Sequence, residues 1–182
     1  MLSLSSLAGW EDAVLASLGG ASGTPDERDR QLERSGLYGE YPAIVRAYIE
    51  HFSDEVTAAE ASKRAVFLVW RAAMALPVET GIAALPDGTS RAVVEELDAR
   101  VRRAAADDEV GWMLAWYCGE GRHVFELFGG TLRLFQLAER VPPTAWRAAS
   151  ITSESMSQRG QMGRYWLSLA AGARAERRPE QG

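Results

Sequence analysis

The feature that most constrains this chain is the stretch 109–118, which is almost wholly apolar after its first residue. Acidic side chains before such a stretch favour a helix start, because carboxylates stabilise the free N–H groups of the first turn. A helix that is apolar on every face must lie inside other helices. We therefore predict a buried helix here, paired with the second apolar stretch, 65–76. The tryptophans Trp70, Trp112 and Trp116 are then expected in the core.

Helix signals recur along the rest of the chain, whereas no stretch alternates apolar and polar residues as a half-buried strand would. The clearest signal is Thr24-Pro25 followed by Glu27, an order typical of a capping box with proline at the first helical position. It predicts a helix over 26–35. The whole sequence predicts an all-α fold, an irregular bundle of about seven to nine helices with mostly antiparallel neighbours and no sheet.

The domain organisation follows from length and from the two ends of the chain. A chain of 182 residues is long enough for one good core, so we expect a single helical domain over 1–173. Ser5 or Ser6 is expected to cap its first helix. Its last helix is expected over 153–173, and we interpret the polar stretch 153–159 as an exposed helix start rather than the lining of a cleft. The charged tail 174–182 is expected to fray.

Composition excludes several classes of function. The net charge of −5 does not favour nucleic-acid binding, which needs a basic face. The longest apolar run is too short to span a membrane, and the N-terminus is a poor signal peptide. Cys118 is the only cysteine, so no internal disulfide can form. We therefore expect a cytoplasmic protein with no membrane or nucleic-acid partner.

Two kinds of side chain could contact a protein partner. Acidic residues cluster at helix starts, where dipole complementarity explains them without any function, although converging clusters could also steer a basic partner. Aromatic residues in proline and glycine linkers reach a surface more often than those on core stripes, and could anchor a partner. The predicted partner-binding residues are Asp107, Asp108, Glu109, Tyr38, Tyr41 and Trp146.

A metal site is an alternative. Glu120 and His123 share one helix face, as in di-iron carboxylate bundles, but such bundles need a second motif and two further carboxylates. The other histidine, His51, has no glutamate at that spacing. A mononuclear site would then join His123, Glu120, Glu126 and His51. We favour a solvated or hydrogen-bonded His123 and no cofactor, and no catalytic residues are assigned.

Two segments resemble stretches of small, uncharacterised, all-helical bacterial proteins, some of the kind expected as immunity-type partners in toxin systems. These segments are 63–70, Lys-Arg-Ala-Val-Phe-Leu-Val-Trp, and 107–117, Asp-Asp-Glu-Val-Gly-Trp-Met-Leu-Ala-Trp-Tyr. The resemblance covers under a third of the chain and lies in core-forming residues. It implies a protein partner and carries no functional residue over.

The favoured hypothesis is a non-catalytic cytoplasmic protein-binding module, an immunity-type or regulatory partner that acts through an acidic helical surface. It follows from the acidic balance and from the lack of a catalytic constellation. One alternative is a helical enzyme or a small-ligand or metal-binding protein, with an inter-helix pocket near His123. A self-associating structural protein is the other, and the sequence leaves the oligomeric state open.

Overall fold

The computed structural model describes residues 1–176, which contain ten α-helices and no strand. The predicted all-α fold is confirmed. The count exceeds the predicted seven to nine because two of the helices, α5 and α9, have only four residues each. No helix in residues 1–176 combines the length and the apolar character needed to cross a membrane. The helices are α1 (Leu4–Gly19), α2 (Pro25–Arg34), α3 (Glu40–Glu50), α4 (Ala58–Met74), α5 (Pro77–Thr80), α6 (Asp87–Arg102), α7 (Asp108–Leu127), α8 (Leu132–Glu139), α9 (Ser153–Met156) and α10 (Gly160–Glu176).

Helix α4 lies at the centre of the bundle, in contact with α3, α6, α7 and α10. Every side chain from 61 to 70 is buried, as expected for a helix enclosed on all sides. The predicted pairing of 65–76 with 109–118 is confirmed, because α4 packs on α7 and the ring of Trp70 stacks on that of Tyr117 with 4.6 Å between centroids. Trp112 is buried in the same core, whereas Trp116 is only half-buried.

The first two helices are each capped by a hydroxyl side chain, one at the predicted residue and one not. Thr24 caps α2 as predicted, since its hydroxyl accepts the Glu27 N–H and its own N–H donates to the Glu27 carboxylate. Helix α1 begins earlier than predicted, because the hydroxyl of Ser3, rather than Ser5 or Ser6, accepts a backbone N–H, that of Ser6.

Helix α7 continues beyond the predicted stretch 109–118. It runs through Gly119, bends at Gly121 and ends at Leu127. A side chain at position 121 would meet the Met74 sulfur at 2.5 Å, so the glycine leaves room for the end of α4. The bend carries the second half of α7 onto α8.

The predicted last helix is broken into α9 and α10 by residues 157–159. Gly160 has a φ of +56°, in the left-handed region that favours glycine. At Gly163 a Cβ atom would overlap the carbonyl oxygen of Met156, so α10 starts against the end of α9. The predicted tail, 174–182, begins inside α10, and residues 177–182 lie outside the described part of the chain.

Candidate functional site

The start of α7, where three partner-binding acids were predicted, is held by internal contacts. The Asp107 carboxylate caps the helix by accepting the Val110 N–H at 3.0 Å. The ammonium of Lys63, from the middle of α4, lies 2.6 Å from an oxygen of Asp107 and 2.6 Å from an oxygen of Glu109. Asp108 is exposed. Two of the three predicted acids therefore bind a buried cation of the same chain.

Arg159 extends these contacts into a larger ion-pair cluster. Its guanidinium forms two hydrogen bonds with the Glu109 carboxylate and two with the Glu60 carboxylate. Arg64 donates to Glu60 at 2.7 Å and to the backbone carbonyl of Leu4 at 3.0 Å. The cluster comprises Glu60, Lys63 and Arg64 of α4, Asp107 and Glu109 at the start of α7, and Arg159 before α10.

The charges of the ion-pair cluster balance, because three cations face three carboxylates. Burial alone would raise the pKa of Glu60 and of Glu109. The hydrogen bonds and charge of Arg159, together with Arg64 at Glu60 and Lys63 at Glu109, outweigh burial and hold each pKa below its ordinary value. Both groups are thus ionised at neutral pH and cannot donate a proton as general acids. The cluster joins α4, α7 and α10 and serves the fold.

A groove of about 540 Å³ lies beside the ion-pair cluster. Its wall includes Ser155 and Met156 of α9 and Gln158 from the segment between α9 and α10. The prediction that 153–159 is an exposed helix start is therefore wrong in part. Ser153–Met156 does form a short helix, but Met156 and Arg159 are buried and the segment lines a groove.

The predicted aromatic anchors are not free surface groups. Tyr41 and Trp146 were expected at the surface, and this is wrong, since they are 0% and 3% exposed. The Tyr41 hydroxyl accepts a hydrogen bond from the Gln161 side chain at 2.6 Å. Tyr38 is half-buried and donates to Asp29 at 2.5 Å. Position next to proline or glycine did not reveal that later parts of the chain cover these rings.

The residues of the metal alternative are not brought together. His51 is buried, with one ring nitrogen 2.8 Å from the Thr57 hydroxyl and the other 2.8 Å from the Leu2 carbonyl oxygen. His123 and Glu120 are exposed. Glu126 pairs with Arg122, which lies one turn before it in α7. Within residues 1–176, no group of three or more histidine, cysteine or acidic side chains could hold a metal ion.

Cys118 is not an activated nucleophile. It is half-buried on α7, and burial raises the pKa of its thiol to about 12. The thiol is therefore protonated at neutral pH, whereas a nucleophilic cysteine reacts as the thiolate.

A second groove, of about 530 Å³, combines aromatic rings with cations, and we call it the aromatic groove. It lies where α10 meets the end of α4, the middle of α7 and the 3-10 turn Ala145–Ala148. Trp116 and Tyr165 are half-buried in its wall, and the Trp116 indole donates to the Tyr165 hydroxyl at 2.7 Å. The aromatic groove is lined by Arg71, Trp116, Trp146, Arg147, Tyr165, Ser168, Leu169, Gly172, Ala173 and Glu176.

Two arginines of the aromatic groove lie over its rings. The guanidinium carbon of Arg71 lies 5.5 Å from the centroid of Tyr165, and that of Arg147 lies 5.4 Å from the centroid of Trp146. Among residues 1–176, no carboxylate is within ion-pairing distance of either guanidinium. This separates them from Arg64 and Arg159, whose charges are paired.

Of this groove, sequence reasoning found only Trp146 as a candidate. Arg71 did leave a signal, because it is the one charge within the apolar stretch 65–76. A lone cation in such a stretch must reach solvent or a partner. The position of Arg147 and Tyr165 beside it depends on how the 3-10 turn and α10 pack on α7, and no local pattern shows that.

No family model, no curated protein and no solved structure matches the chain. The resemblance of 63–70 and 107–117 to immunity-type partners therefore stays a prediction. The function has to be argued from the contacts of the described residues.

Proposed function

We propose that this chain is a cytoplasmic, non-catalytic protein-binding module and that the aromatic groove is its binding site. Residues that dominate the energy of protein interfaces are most often tryptophan, tyrosine and arginine. The aromatic groove brings all three types together. The single observation that carries the proposal is that Arg71 and Arg147 lie over aromatic rings and that no carboxylate of residues 1–176 pairs with them.

The proposal moves the binding surface away from the start of α7. Asp107 and Glu109 already neutralise Lys63 and Arg159, so a basic partner would have to compete with buried ion pairs. The arginines of the aromatic groove need no such exchange. The resemblance to immunity-type proteins supports a protein as the partner, in an immunity or a regulatory role.

Site-specific photo-crosslinking tests the proposal. A photoreactive amino acid at Ser168 stands in the aromatic groove, and the same amino acid at Ser17 stands on the exposed side of α1. Irradiation of cells that express the chain natively, followed by mass spectrometry, should give a crosslinked protein from position 168 that is absent from position 17. Equal products from both positions, or none from position 168, would contradict the proposal.

The same experiment addresses self-association, because a crosslink from position 168 to a second copy of this chain would identify a homo-oligomer. The small-ligand and metal alternatives predict no protein product. Hydrogen bonds occupy both nitrogens of His51, and residues 1–176 contain no group of three or more metal-ligating side chains, so the metal alternative has no structural support.

A further inference from the structure

We propose that the occupant of the aromatic groove is an acidic segment of a partner protein, with an apolar side chain placed between its carboxylates. This inference rests on the proposed function and specifies the chemistry of the partner. It follows from charge complementarity between the two arginines of the groove and the carboxylates of its occupant.

Each of the two arginines is held over an aromatic ring. A guanidinium that stacks on an aromatic ring uses its flat face for that contact and keeps its N–H donors free at the edge. A carboxylate binds this edge through two parallel hydrogen bonds. Arg71 and Arg147 each lie over a ring and have no ion-pair partner among residues 1–176, so their N–H donors are available to a carboxylate.

The two charges and the apolar surface lie at different places on the groove wall. Arg71 comes from the last turn of α4, and Arg147 comes from the 3-10 turn that packs on α7. The two cations are thus presented by separate elements of the groove wall. Apolar surface from Trp116 and Leu169 lies in the same groove. A segment with acidic residues on both sides of an apolar one matches this arrangement.

The charge of the groove and of the whole chain favours a carboxylate over a nucleic-acid backbone as the bound anion. Nucleic-acid binding needs a continuous basic face. The aromatic groove has two arginines and is also lined by Glu176, in a chain with a net charge of −5. A long polyanion would meet repulsion beyond the groove, whereas a short acidic segment would not.

Calorimetric titration with three synthetic peptides tests the inference on the full-length protein. Each peptide has seven residues and a central phenylalanine, flanked by glutamates, by glutamines or by lysines. The glutamate peptide should bind about tenfold or more tightly than the glutamine peptide, since charge-assisted hydrogen bonds are lost in the latter. The lysine peptide should not bind. Added salt should weaken the glutamate peptide most.

Matched variants locate the effect. The double variant Arg71→Gln/Arg147→Gln should bind the glutamate and glutamine peptides equally, whereas Arg46→Gln, which removes an exposed arginine of α3, should leave the difference unchanged. The reversal Arg71→Glu/Arg147→Glu should bind the lysine peptide instead. Circular dichroism of each variant confirms that it is folded, and the reversal, which gains a ligand, cannot be explained by unfolding.

Three results would overturn the inference. They are equal binding of the glutamate and glutamine peptides, no binding of any peptide, and tighter binding of oligouridylate that is lost in the same arginine variants. The first two leave the proposed function intact if position 168 still crosslinks a protein. The lack of a crosslink at position 168 would instead count against the proposed function, whatever the peptides do.

Discussion

The guanidinium of Arg71 lies over the ring of Tyr165, with 5.5 Å between its central carbon and the ring centroid. Arg71 belongs to α4, the central helix, and Tyr165 to α10. The contact places a cation at the edge of the core, and within the described part of the chain no carboxylate neutralises it. The ion-pair cluster shows the opposite arrangement, in which every cation is paired. This contrast separates the residues that we propose for partner binding from the residues that hold the fold.

The arginines of the aromatic groove are predicted to contribute little to stability. Arg71→Gln or Arg147→Gln removes one stacking contact, which is worth about 1 kcal/mol or less at a half-exposed site. Urea denaturation followed by circular dichroism should therefore show almost unchanged free energies of unfolding. A loss of several kcal/mol would assign these arginines a structural role and weaken the case for a binding site.

Arg159 is predicted to be essential for stability. Replacement by methionine keeps the apolar stem but leaves Glu60 and Glu109 partly buried without their main partner. Breaking a buried ion pair from one side costs about 3 kcal/mol or more. Urea denaturation should show this loss in Arg159→Met. The control Arg164→Met breaks the exposed pair with Asp12 and should cost less than about 1 kcal/mol. Equal losses in both variants would contradict the assignment.

Glu11 belongs to α1, and its buried carboxyl group lies against the start of α10. Its oxygens accept hydrogen bonds from the Tyr48 hydroxyl at 2.6 Å and from the Gln161 N–H at 2.8 Å. Burial raises its pKa from the ordinary value of 4.5 to about 7. The hydrogen bonds from Tyr48 and Gln161 and the charge of Arg64 oppose this rise, and the charge of Asp12 adds to it.

This raised pKa predicts how stability depends on pH. The folded protein protonates Glu11 at a higher pH than the unfolded chain does, so the stabilising effect of the proton is present below pH 4.5 and is lost as the pH rises through about 7. In Glu11→Gln this loss is absent. The free energy of unfolding of the variant, minus that of the natural chain, should therefore grow by up to about 3 kcal/mol across this range. Parallel pH profiles would contradict the prediction.

Gly163 is predicted to tolerate no side chain. A Cβ atom there would overlap the backbone carbonyl of Met156, which cannot move without shifting α9. Gly163→Ala should lower the free energy of unfolding by about 2 kcal/mol or more. Gly9→Ala is the matched control, because Gly9 is exposed in α1 and nothing lies near its added Cβ. It should raise stability by up to about 1 kcal/mol. Urea denaturation measures both.

Local signals in the sequence were sufficient for much of the helical architecture. The capping box of Thr24 and Glu27 lies within four consecutive residues, so both of its hydrogen bonds can be predicted from the local sequence. The same holds for the apolar stretch around Trp112, whose lack of a polar face requires burial on all sides. These features predicted the all-α fold and the pairing of α4 with α7.

Contacts between distant residues were beyond such reasoning. Arg159 lies 99 residues from Glu60 and 50 from Glu109, so neither its burial nor the break after α9 follows from its neighbours. Tyr41 is buried by contacts that include Gln161, 120 residues away. Arg71 could be recognised as a cation in an apolar stretch, but its place in an aromatic groove depends on α10. The proposed binding site was therefore harder to predict than the fold.

Comparative capture of partners tests the central claim most directly. The natural chain, the groove variant Arg71→Glu/Arg147→Glu and the control Arg46→Glu/Arg133→Glu would each replace the native gene product, and the co-purified proteins would be quantified by mass spectrometry. The control changes the net charge equally, at exposed arginines outside the aromatic groove. We predict a partner that is recovered with the natural chain and the control and is lost with the groove variant. Recovery of the same proteins with all three chains would contradict the account.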